Sequence, residues 1–195
     1  MPNYCECDLR IEGTSKQLKK FKLFAKTGKN VLDTNKFVPY PEEFKEQDEK
    51  ARRFEILTKK INEKIKLTKK EANELAMIHL AYEKDIVNGN MNDGYNSGGY
   101  DWCSKNWGTK WGICEAHCDD EIGNCYKGVG DINYSFNCAW APATPVILAM
   151  SKKFRSLKFD LRYFEGGSEF NGMFICKGGK IIEDEQGKYF GMRGG

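Results

Sequence analysis

The residues best suited to chemistry fall between positions 114 and 125. Cys114, His117, Cys118 and Cys125 are four possible metal ligands within twelve residues, and thiolate with imidazole is the donor set zinc prefers. Their spacing is not that of a standard zinc module, which carries paired ligands across a longer gap. In a strand starting near 113, Cys114 and Cys118 would share one face and His117 would take the other. Asp119, Asp120 and Glu121 follow at once. Adjacent carboxylates in a turn read first as a solvated charge cluster, with weak divalent-cation binding as the sharper alternative.

Elsewhere the chemistry is sparse. The sequence holds no Gly-x-Ser-x-Gly elbow, P-loop, dinucleotide fingerprint or His-Glu-x-x-His pair, and its two histidines are His79 and His117. The expectation is a binding protein without catalytic residues and without a cofactor. The eight cysteines are expected to be reduced thiols acting as small core residues, with metal or disulfides as the alternatives. The opening Met1-Pro2-Asn3-Tyr4 runs straight into an alternating pattern, so no export leader is expected. No apolar run reaches the ~18 residues a membrane span needs, which leads to an expected cytoplasmic location.

Charge is divided along the chain. Up to Gly89 there are 19 Lys/Arg against 15 Asp/Glu, from Asn90 to Ser151 there are 3 against 7, and from Lys152 onward 9 against 6. The acidic stretch contains all four tryptophans. Nucleic-acid binders concentrate cations beside their aromatics, so this separation disfavours that class.

The elements that must position these residues follow from periodicity. Residues 4–12 alternate, with Cys5, Cys7, Leu9 and Ile11 on one side, as a half-buried strand does. A helix to about Lys26 carries Leu18, Phe21, Phe24 and Ala25 inward and Lys16, Lys19 and Lys20 outward, either as a solvated face or as a contact for an acidic partner. A second strand is expected over 31–38. A helical pair follows, with Phe54, Leu57, Ile61 and Ile65 in the first helix. The second opens on the capping box Thr68-x-x-Glu71 and carries Ala72, Leu75, His79, Tyr82 and Ile86, with His79 packed rather than catalytic.

Residues 88–99 read as a flexible polar loop in which Asn92, Asp93 and Tyr95 are binding candidates. Strands are expected at 113–118, near 125–129, and at 131–140. In the last of these, Ile132, Tyr134, Phe136, Cys138 and Trp140 share a face. A helix from Thr144-Pro145 follows, then strands at 158–164, 170–176, 180–184 and near 188–192. The expected class is α+β: one domain with a ferredoxin-like β-α-β-β-α-β sheet, a helical-hairpin insertion over 42–90 and a C-terminal β-hairpin.

Between Tyr100 and Gly112 lie three tryptophans, Trp102, Trp107 and Trp111. Burial against the core is the first reading, and surface anchoring of a partner by Tyr100, Trp102 and Lys105 is the second. Asn106-Trp107-Gly108-Thr109-Lys110-Trp111 resembles the signature of the YubB-like family, uncharacterised proteins of phages and plasmids with a ferredoxin-like domain. The opening through Glu6, Phe37-x-Pro39-x-Pro41, Tyr134-Ser135-Phe136-x-x-Ala139-Trp140-x-Pro142 and Tyr163-Phe164-Glu165 fall in the same order. Tyr4 departs from the family's usual tryptophan, and Cys114, Cys118 and Cys125 are outside its pattern. The resemblance implies a mobile-element accessory protein. The expected role is binding and inhibiting a host defence protein, such as a restriction or RNA-guided (CRISPR) nuclease. A nucleic-acid-binding ferredoxin-like domain and a metal-dependent enzyme are the alternatives.

Overall fold

The computed structural model of the protein describes residues 3–119, 123 and 128–188. Along the chain run β1 (Tyr4–Gly13), α1 (Ser15–Ala25), α2 (Glu42–Asn62), α3 (Lys69–Ala81), β2 (Ile86–Val87), β3 (Asn90–Met91), α4 (Tyr100–Asn106), β4 (Cys114–Cys118), β5 (Gly130–Ala139), α5 (Thr144–Lys153), β6 (Lys158–Glu165), β7 (Phe170–Lys177) and β8 (Lys180–Lys188). They form two compact units, one of residues 40–101 and the other of the remainder.

In the larger unit an antiparallel sheet has the order β4-β5-β1-β6-β7-β8. Without the insertion, β1-α1-β4-β5-α5-β6 is the β-α-β-β-α-β order of a ferredoxin-like fold, with β1 between β5 and β6. The β7–β8 hairpin, turning through Gly178-Gly179 at positive φ, extends one edge.

Alternation decides which face is buried. Cys5, Cys7, Leu9 and Ile11 lie opposite Cys138, Phe136, Tyr134 and Ile132 on one side, and Tyr163, Leu161 and Phe159 face Cys7, Leu9 and Ile11 on the other. All are buried, together with Leu18, Phe21 and Ala25 of α1 and Val146, Ile147 and Met150 of α5. Burying each such side chain is worth ~1.5–3 kcal/mol, so this layer dominates the unit's stability. Phe21 sits at its centre, with ring centroids 5.1 Å from Phe154, 5.7 Å from Phe159, 5.8 Å from Phe37 and 6.0 Å from Tyr134. Helix α1 starts on a full capping box from Thr14 and Gln17, while α5 starts one residue earlier than its sequence suggests, with Ala143 rather than Thr144 at the cap.

The open face reads as a charge ladder. Asp8 lies opposite Arg162, Arg10 opposite Asp160, and Glu12 opposite Lys158. Arg10 also reaches Asp131 at 3.2 Å, and Arg162 reaches Asp160 at 2.9 Å. Opposite charges across strands contribute ~0.2–1 kcal/mol each, enough to keep this face folded and solvated without an apolar cover.

The strand expected over 31–38 is absent. Asp33 instead accepts from the Asn35 N–H and opens a single 3-10 turn, Thr34–Lys36, with Leu32 and Thr34 buried. The place beside β5 is occupied by β4, so this segment has no strand to pair with and packs through Phe37. Strands expected near 125–129 and 188–192 lie wholly or mainly outside the described residues.

The smaller unit is helical. Arg53 donates two bonds to Glu74, at 2.9 and 3.0 Å, and Lys60 meets Glu71 at 2.6 Å, stapling α2 to α3. The Thr68–Glu71 capping box forms as expected. Its apolar interior is small: Ala51, Phe54 and Leu57 of α2 and Ile78 of α3 are buried. Ile61 and Ile65, expected inside, are exposed. His79 is exposed too, although its ring lies edge-on to Phe54 at 5.2 Å. Residues 88–99 are less open than their composition suggests. Asn88-Gly89, both at positive φ, turn the β2–β3 hairpin, and Tyr95–Gly99 wind into a wide helical turn.

Candidate binding surface

The Trp-rich segment divides into a buried half and an exposed half. Helix α4 places Trp102 edge-on to Trp107 at 5.3 Å, and Asn106 donates to the Trp102 carbonyl. Trp107 is buried, and its indole N–H donates to the Val38 carbonyl at 2.8 Å, which meets the need of a buried indole. Gly108 has a φ of 77°, and a Cβ there would stand 2.6 Å from Pro145 Cδ, so no other residue fits without a shift. Thr109 is buried and its hydroxyl donates to the Ala139 carbonyl at 2.8 Å. These contacts fasten the turn to the end of β5.

The exposed half begins where β5 stops. Trp140 continues the parity of Ile132, Tyr134, Phe136 and Cys138, yet does not share their buried face. Its φ of 70° turns the ring out, leaving it 45% exposed. The Trp140 N–H donates to the Asn3 carbonyl at 3.0 Å, and Tyr4, 41% exposed, stands opposite Ala139. The Lys110 ammonium lies 4.4 Å from the Trp140 ring centre and 5.4 Å from that of Trp111. A bulky residue in the left-handed region is an outlier that costs ~1–3 kcal/mol. An exposed cation–π contact returns only ~0.5–1 kcal/mol. Local stability therefore does not explain why this ring faces solvent.

The remaining sequence candidates are dispersed. Lys16, Lys19 and Lys20 lie exposed on α1, while Lys22 of that helix donates to the Asp119 carbonyl at 2.9 Å. Asp93 caps its own turn by accepting from the Asn96 backbone and side chain at 2.7 and 2.8 Å. The Asn92 carbonyl accepts from Gln47, and the Tyr95 N–H donates to Asp48. These three residues build the smaller unit, and Tyr100 packs edge-on to Tyr95 at 5.9 Å. Lys105 is exposed on α4.

Backbone geometry separates the candidate metal ligands Cys114 and Cys118 of β4. Glu115 has a φ of 52°, and the register shifts between Cys114 and His117. Cys114 thus pairs with Asn137 and Cys118 with Tyr134, residues of opposite parity, so the two cysteines do not share a face. The Cys114 thiol lies against the Asn137 carbonyl, and burial raises its pKa. His117 lines a hollow of about 340 Å³ with Glu6, Asp8 and Glu115. Among the described residues, no three His, Cys, Asp or Glu side chains are grouped to hold a metal ion. Cys125, Asp120 and Glu121 lie outside the described residues.

Sequence reasoning passed over Glu165, a buried carboxylate at the end of β6. It accepts from the Gly167 N–H at 2.9 Å and from the Ser168 N–H, tying the β6–β7 turn. Its position in the Tyr163-Phe164-Glu165 motif was the available signal. Among the described residues no helix is long and apolar enough to cross a membrane.

Residues 107–190 match the model of a family described as the ferredoxin-like domain in Api92-like protein. No curated protein matches the chain. The crystal structure of the protein api92 from Yersinia pseudotuberculosis is similar in fold, with a TM-score of 0.51 at 11% identity over 98% of this chain and 99% of that one. From Trp107 onward, then, the chain resembles the ferredoxin-like domain of Api92-like proteins, and the exposed Trp140 lies inside that matched region.

Proposed function

We propose that this chain is a non-catalytic accessory protein of a phage or plasmid, as the YubB-like resemblance implies. In this reading it acts in the host cytoplasm without a cofactor, docking on a host defence protein such as a restriction or RNA-guided nuclease and blocking it. The observation that carries the reading is Trp140, held half-exposed in a strained backbone beside Lys110, Trp111 and Tyr4. Tryptophan and tyrosine supply large rigid contact area, and such anchors dominate protein–protein affinity. The sheet's open face supports a protein partner over a nucleic acid. Arg10, Lys158 and Arg162 are each paired with carboxylates there, which leaves little cationic surface for phosphates.

The test uses Trp140→Asn, because asparagine accepts a positive φ, together with Lys110→Glu. Wild-type protein is expected to capture a nuclease from host lysate and to suppress its cleavage of DNA in a purified assay. Trp140→Asn should weaken that capture at least tenfold, while its stability stays within about 1 kcal/mol of wild type. Full inhibition by both variants, or no protein captured specifically, would overturn the proposal. A salt-dependent gel shift of bare nucleic acid would favour the nucleic-acid-binding alternative.

A further inference from the structure

Helix α1 turns a cationic face to solvent. Between Glu12 and Asp33 the sequence holds six lysines and no Asp or Glu. Leu18, Phe21 and Ala25 are the buried residues of this helix, while Lys16, Lys19, Lys20 and Leu23 are exposed. By helical spacing these four share one face, opposite the buried stripe, and Leu23 lies among the three lysines at 81% exposed. Among the described residues none of the three lysines forms an ion pair. The flanking acids are engaged elsewhere: Glu12 meets Arg10 and Lys158, and Asp33 accepts from the Asn35 N–H. Neighbouring elements add charge of the same sign. Between Asp131 and Asp160 the sequence again holds no acid. Phe154, which follows α5, lies 5.6 Å from Phe24 of α1, and the Lys153 and Lys36 ammoniums stand 4.4 and 6.0 Å from the centre of the Phe24 ring.

Helix stability does not account for this face. Lys16 stands in the first turn, where the dipole favours an acid and none is present. It also lies three and four residues before Lys19 and Lys20, a spacing at which like charges repel. We propose that this face docks on an acidic surface of a partner protein, whose carboxylates meet Lys16, Lys19 and Lys20 and whose apolar seat takes Leu23. The proposal rests on reading the chain as a protein-binding one, and it supplies the partner's chemistry. The lysines fix the sign of the occupant. The leucine at their centre favours a protein over a nucleic-acid backbone, which offers phosphates and no apolar seat. The face also adjoins the Trp-rich segment in the fold. The Ile113 N–H donates to the Thr34 hydroxyl at 2.9 Å, fastening the turn that carries Lys36 to the segment that carries Lys110 and Trp111.

The probe is a fluorescent amphipathic peptide of glutamate and leucine, titrated with the full chain and followed by anisotropy, beside a duplex DNA of equal charge. The peptide is expected to bind, and more weakly as salt rises. Joint Lys16→Glu, Lys19→Glu and Lys20→Glu should lower its affinity by about tenfold or more. The same triple variant should raise the thermal midpoint, because it removes the repulsion and the dipole clash. A merely structural role for the lysines would move stability the other way. Leu23→Ser should weaken the peptide severalfold and leave the salt dependence unchanged. These readings need no nuclease, so they stand or fall apart from the lysate capture. Absence of peptide binding at low salt, an affinity indifferent to the triple variant, or tighter binding of the DNA than of the peptide would overturn the inference. So would nuclease capture that Trp140→Asn abolishes and the triple variant leaves intact, an outcome that keeps the Trp140 reading.

Discussion

The sheet unit and the helical unit use the same apolar residue types and cover them to different degrees. In β1 every second residue is fully buried, and the helices α1 and α5 close over the same face. In α3 the apolar positions outnumber the buried ones, and the contact with α2 is reinforced by ion pairs instead. Apolar burial scales with area and is indifferent to salt, whereas partly exposed ion pairs contribute ~0.2–1 kcal/mol each and weaken with salt and acid. The difference teaches that periodicity reports the element and not what covers it. The helical unit, held more by partly exposed ion pairs, is therefore the one expected to respond to salt and acid.

The sharpest way to break this comparison is in the sheet core. Phe21→Ala is expected to cost ~3–5 kcal/mol in urea unfolding, because four aromatic neighbours lose their common contact. Leu57→Ala, in the small interior of the helical unit, should cost ~2–3 kcal/mol, read as faster amide exchange within 42–81 and unchanged protection in β1 and β5. Equal loss of protection in both units would mean that they unfold as one. Thr68→Ala should remove ~1 kcal/mol by uncapping α3, visible in the amides of its first turn.

The smallest effect is a pH dependence. Lys60, followed by the Thr68 backbone and side-chain bonds, holds the Glu71 carboxyl down to about 2 from an ordinary 4.5. A depressed folded value stabilises above the unfolded value and is lost as the pH falls through the folded one. The helical unit should therefore weaken between about pH 4.5 and 2, and Glu71→Gln should flatten that window in an acid titration followed by circular dichroism.

Much of this was legible in the residues. The alternation of 4–12 and of 131–138, the Thr68 capping box and the Gly178-Gly179 hairpin are local patterns with local causes, and each formed where the spacing put it. What failed depended on neighbours. The 31–38 segment can be a strand only if a sheet edge is open to it, and β4 holds that edge. Cys114 and Cys118 share a face only in a regular strand, and the bulge at Glu115 is a tertiary choice. The candidate site was half-legible. Its residues were named as a signature, but the sign of φ at Trp140 is not written in any period-two pattern, so the ring was assigned to the core.

The cysteines have one further consequence, in reaction kinetics. Every cysteine lies outside residues 40–101, and Cys5, Cys7, Cys103, Cys138 and Cys176 are buried in the sheet unit. Burial holds the Cys7 thiol well above its ordinary pKa, so it carries almost no reactive thiolate while folded. An alkylating reagent should take the half-buried Cys114 and Cys118 sooner than the buried group, which reacts only as the sheet opens. The molecule thus carries its own clock for one of its two units, and the other is invisible to it.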